Sequence, residues 1–153
     1  MFVSDKKIKG FTLIELLVVI SIIVLFVSVC LVGITYYRDK AKDARIGATL
    51  SQLRTEAEII YSDENQYTNI CDKKDTLNDG YTKYPSLAII EEEIEGLSDR
   101  KPDCYASDMD YCVQTILITK GYYCIDSGGV ALEIDKKKCA KNNIKCADKK
   151  KEK

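Results

Sequence analysis

The stretch Lys7-Ile8-Lys9-Gly10-Phe11-Thr12-Leu13-Ile14-Glu15-Leu16-Leu17-Val18-Val19-Ile20 sets a short basic segment ending in Gly against a long apolar run. From Phe11 to Ile34 that run has 24 residues, and Glu15 is its only charge. A helix of this length rises about 36 Å, enough to cross a hydrocarbon core. A carboxylate within a membrane span costs roughly 3 kcal/mol on insertion scales, which makes Glu15 a functional candidate in its own right.

The flanks differ from those of a secretory signal peptide, in which an apolar region of about 7–15 residues precedes a small-x-small cleavage site. Here the run is longer, and the candidate cut between Gly10 and Phe11 lies in front of it. The block Lys9-Gly10-Phe11-Thr12-Leu13-Ile14-Glu15-Leu16-Leu17-Val18-Val19-Ile20 resembles the class III leader of type IV prepilins and type II secretion pseudopilins. The resemblance implies that prepilin peptidase cuts after Gly10 and methylates the new amino terminus on Phe11. It implies further that the helix packs into a filament core, with an assembly ATPase and an inner-membrane platform protein as partners. The close match ends near Ile34, and the rest of the chain fits the family in layout only.

Glu15 has a physical logic apart from any family. Cleavage after Gly10 creates a cationic amine on Phe11, and Glu15 lies four residues on, where an unpaired charge is costly. If a neighbouring copy's Phe11 amine satisfies Glu15, each chain offers one cation and one anion. Such a head-to-tail contact is heterologous and builds an open helical filament. The resemblance implies the same pairing. A tolerated acid near the membrane interface in a simple anchor is the plainer alternative.

The chain carries 23 basic and 24 acidic side chains and no His. Loss of the leader, residues 1–10, leaves 20 basic against 23 acidic, a balance that does not predict a general nucleic-acid binder. The head that remains beyond the helix is small, and small heads often need staples. Cys30 lies in the apolar run and reads as a small hydrophobe facing lipid or another helix. Cys71, Cys104, Cys112, Cys124, Cys139 and Cys146 fall in the head, and their even count reads as a disulfide framework in an oxidising compartment. Six cysteines allow 15 pairings, and the sequence leaves all of them open. A zinc site is the rival reading, weakened by the lack of Cys-x-x-Cys and of His.

Residues 11–34 are expected to form the transmembrane or filament-core half of one long helix. The amphipathic half follows over 35–62, where Ile46, Leu50, Leu53, Ala57 and Ile60 recur at spacings of 4, 3, 4 and 3 along one face. That stripe suits packing on the chain's own head; a coiled-coil stalk is the alternative. The head is expected over 63–146. Asp63 to Arg100 reads as loop, with a turn at Asn78-Asp79-Gly80 that could close a hairpin and a short helix from Ser86 to Leu97. Glu91, Glu92, Glu93 and Glu95 lack calcium-loop spacing and read as a solvated face of that helix.

Tyr111–Ile118 and Tyr122–Asp126 flank a short Gly-bearing link and read as an antiparallel hairpin, with Val130–Ile134 as a third strand. The expected fold class is therefore α+β, pilin-like: one long helix on a small, disulfide-stapled antiparallel sheet. Asp126 and Asp135 read as turn formers in preference to calcium ligands, and no metal or cofactor is expected. From Asp135 to Lys153 there are nine Lys and three acids. Residues 147–153 read as a disordered basic tail, which a polyanion such as DNA could contact; solubility is the simpler account.

Nothing in the sequence supports an enzyme: the usual triads lack their His, and there is neither a Gly-rich phosphate loop nor a Gly-x-Ser-x-Gly. The reading is a structural subunit of a type IV pilus-like filament that polymerises with copies of itself. It would be a single-pass inner-membrane protein with its head outside the cytoplasm before assembly, and part of an extracellular pilus afterwards. The alternatives are a pseudopilin of a type II secretion or DNA-uptake system and, from another class, a membrane-anchored binding module.

Overall fold

The computed structural model describes residues 11–146, without the side chains of 30–32. The leader with Gly10, the side chain of Cys30 and the tail over 147–153 lie outside the described residues. Helix α1 runs Leu13–Glu64 and α2 Ser86–Ser98, followed by β1 Asp103–Ala106, β2 Tyr111–Ile116, β3 Tyr122–Asp126 and β4 Ala131–Ile134. The chain divides into two compact units, 1–38 and 39–153.

In the first unit the described side chains of α1 are exposed on every face, and after Glu15 its sequence is apolar all round as far as Ile34. The helix is long and apolar enough to cross a membrane. The hydroxyls of Ser21 and Ser28 donate to the carbonyls of Leu17 (2.7 Å) and Leu25 (2.8 Å), so neither needs water or a neighbour.

In the second unit the predicted stripe is the core. Ile46, Leu50, Leu53, Ala57 and Ile60 are fully buried and pack with Ile70, Leu77, Leu87, Ile94, Tyr111, Val113 and Ile125. Asn65 ends α1 with φ 55°, donating its N–H to Tyr61 O at 2.8 Å in a left-handed cap. Asp99 closes α2 in the same way on Glu95 O.

The strands form one antiparallel meander in the order β1-β2-β3-β4. In β2 the residues Tyr111, Val113 and Thr115 face the helices, while Cys112 and Gln114 face the other way. The second face is covered too. Residues 135–146 fold back as a strap across it, so β2 is buried on both sides and shows no polar alternation.

Three features differ from the sequence reading. The region of Asn78-Asp79-Gly80 carries no hairpin, only an isolated bridge between Cys71 and Leu77. Asp103–Ala106 is a strand, paired to β2 with Cys104 opposite Val113. Glu91 is not on a solvated face: it is 2% exposed, accepts from Thr76 Oγ1 and pairs with Lys101 Nζ. The neutral hydroxyl and the ammonium together offset the desolvation of its carboxylate.

Candidate functional site: the start of α1 and the stapled head

Thr12 immediately precedes α1, and Glu15 is its third residue. Thr12 donates to Glu15 Oε2 twice, from its backbone N–H (2.9 Å) and from its hydroxyl (2.8 Å). Glu15 N–H returns a bond to Thr12 Oγ1 at 3.3 Å. This reciprocal arrangement is a capping box, which satisfies two of the orphan donors at a helix start. Its signal is present in the sequence as Thr-x-x-Glu before an apolar run, and the reading of Glu15 as a partner for another chain passes over it. Phe11 is 78% exposed beside it, so the group that would carry the new amine is open to a neighbour.

In the head the six cysteines form three disulfides: Cys71–Cys104, Cys112–Cys139 and Cys124–Cys146. The first ties the loop after α1 to β1; the other two fasten the strap to β2 and β3. Polar side chains reinforce the strap. Gln114 Oε1 accepts from Lys138 N (2.8 Å) and Cys139 N (3.0 Å), and Asp126 Oδ2 accepts from Cys146 N at 2.9 Å. Asp126 Oδ1 also takes Val130 N at 3.2 Å, so this side chain shapes the β3–β4 turn, as the sequence suggested. Asp43 of α1 holds the β2–β3 link: its carboxylate accepts from Ile118 N at 2.6 Å, from Thr119 N at 3.1 Å and from the Thr119 hydroxyl. No spacing in the sequence joins Asp43 to a turn 75 residues away.

An ionic cluster lies at the end of α1. Lys83 bridges Asp63 (3.0 Å) and Glu64 (3.1 Å). Hydrogen bonds from Asn69 and Tyr81, with Lys83 beside them, hold the Glu64 carboxyl below the usual range. Burial, reinforced by Glu58, pushes the Tyr67 phenol up to about 12. Burial raises Tyr111 as well.

A family model described as the prokaryotic N-terminal methylation motif matches residues 5–31. The type IV wide pilus major component PilA4 of Thermus thermophilus is 38% identical over 64 residues, which cover 42% of this chain and 49% of that protein. The chain thus spans about half the length of the curated relative it matches. No solved structure matches it. The chain thus carries the N-terminal methylation motif, is similar over part of its length to a pilus component, and has the pilin-like layout of a long helix on a four-stranded antiparallel sheet.

Proposed function

We propose that this chain is a filament subunit: a membrane precursor cut between Gly10 and Phe11 by prepilin peptidase, methylated on Phe11 and polymerised through α1. One observation carries the reading. The helix of the first unit is apolar and exposed on every face, yet it keeps one carboxylate, at its very start. Lipid satisfies such a surface before assembly, and neighbouring copies satisfy it afterwards.

The capping box is compatible with pairing between subunits. Both Thr12 bonds fall on Oε2 of Glu15, which leaves Oε1 for a neighbour's Phe11 amine. The carboxylate then has a second task once the cut has made a cation. The platform protein and assembly ATPase would act on this form, and the head would lie outside the cytoplasm. The relative's description as a pilus component favours a surface pilus over a secretion pseudopilin.

Intact mass spectrometry of the chain from its native cells tests the proposal. The expected terminus is Phe11 with one added methyl group, and a retained Met1 terminus overturns it. Removing one member of a buried charge pair costs about 3–5 kcal/mol. Glu15→Ala is therefore expected to leave cleavage intact while lowering the yield of sheared filaments about a hundredfold or more.

A further inference from the structure

The sulfurs of Cys112, Cys124, Cys139 and Cys146 form a single buried cluster, all within 4.8 Å of one another. Between the two disulfides, Sγ of Cys124 lies 3.5 Å from Cys139, and Sγ of Cys112 lies 3.7 Å from Cys124 and 3.9 Å from Cys146. Four thiolates around a tetrahedral Zn²⁺ at about 2.3 Å stand about 3.8 Å apart. Three of the four contacts between the pairs are already close to that spacing, and reduction frees the two bonded edges to widen towards it.

We propose that the reduced chain binds one thiophilic divalent cation, Zn²⁺, at these four cysteines, as an alternative staple to the two disulfides. Every cysteine is a thiol when the chain is made, so the site can fill before the head is oxidised; once the disulfides have formed, a dithiol or phosphine reductant must supply two electrons to each. Binding breaks four S–H bonds, forms four Zn–S bonds and releases four protons to solvent, leaving a centre of charge −2; no electron moves.

The scaffold that holds the sulfurs does not depend on the disulfides. Cys112 and Cys124 sit in the paired strands β2 and β3, with Cys112 opposite Asp126 and Cys124 opposite Gln114. The two partner residues, both buried, hold the backbone N–H groups of Cys146 and Cys139 respectively. All four positions are therefore also held by hydrogen bonds that reduction does not itself break. The Cys71–Cys104 pair lies apart, in the core beneath α1 and α2.

The inference does not rest on filament assembly, and its test is separate. The full chain in detergent is reduced with a phosphine under argon, freed of reductant and titrated with Co²⁺. The expected result is one Co²⁺ per chain, with thiolate-to-cobalt charge-transfer bands and tetrahedral d–d bands that Zn²⁺ then abolishes. Hydrogen exchange at the Cys139 and Cys146 amides should slow about tenfold or more on Zn²⁺ addition. A Cys71→Ser/Cys104→Ser variant should keep all of this, because those two thiols are already reduced and apart from the cluster. A Cys139→Ser/Cys146→Ser variant should lose it. Absence of the bands overturns the proposal, as do bands that persist without Cys139 and Cys146, bands lost with Cys71 and Cys104, or binding that leaves strap exchange unchanged.

Discussion

At the residue scale, Thr12 and Glu15 satisfy one another within a single chain. Glu15 stood out in the sequence as the lone charge of an apolar run, and its partner within the chain, Thr12, is three residues away. Glu91 went unread for the opposite reason. Its partners Thr76 and Lys101 come from loops 15 and 10 residues distant, and no local pattern announces them. Two glycines allow a sharper test. Gly121 has φ +83°, and a Cβ there would stand 2.6 Å from Ile134 O, so both backbone and space require glycine. Gly80 has nothing within 4 Å and no such φ. Gly121→Ala is expected to destabilise the head by about 2 kcal/mol or more, while Gly80→Ala changes stability by less than about 1 kcal/mol. Urea midpoints of the full chain in detergent check both.

At the scale of elements, α1 was legible because its second half repeats apolar residues at helical spacing, and every member of the stripe is buried. Leu50→Ala removes a fully buried side chain and is expected to cost about 2–5 kcal/mol. Ile59, half exposed on the opposite side of the same turns, should tolerate Ala within about 1 kcal/mol. Denaturant curves with unchanged slope distinguish the two outcomes. The hairpin of β2 and β3 was legible from its β-branched and aromatic runs. β1 was not: four residues containing an Asp carry no strand signal, and what makes them a strand is the ladder to β2 together with the Cys71–Cys104 link. For the strap, the cysteine framework already read Cys139 and Cys146 as anchors, but not where the segment lies: 135–146 is rich in Lys and owes its seat to the cysteines and two buried acceptors of other strands.

At the scale of the molecule, stability against pH follows from groups that lie far apart in sequence. The phenols of Tyr67 and Tyr111 ionise later in the folded chain than at their usual value near 10. Their contribution is complete below pH 10 and is lost as pH climbs from 10 towards 12. Each such phenol removes about 1.4 kcal/mol per pH unit across its window. The Glu64 carboxyl, held low, acts with the opposite sign: its contribution is present above the ordinary carboxylate range and is lost as pH falls below it. A series of urea midpoints should therefore be flat near neutrality and fall steeply above pH 10, with part of the tyrosinate absorbance rising only as the head unfolds. A midpoint that stays level through pH 12 would contradict the burial of these two rings.

The three disulfides also determine what a cut in the backbone can release. Cys71–Cys104 closes one loop, and the spans 112–139 and 124–146 overlap to close a second. Every Lys and Arg between Cys71 and Cys146 falls inside one of them, and the gap from Tyr105 to Tyr111 contains neither. A trypsin-like protease that cuts the head once, at any of these basic residues, leaves both pieces tethered by an intact sulfur bridge. A filament displayed outside the cell would thus shed nothing at the first nick in a loop, and lose a peptide only when a second cut falls between the same pair of cysteines.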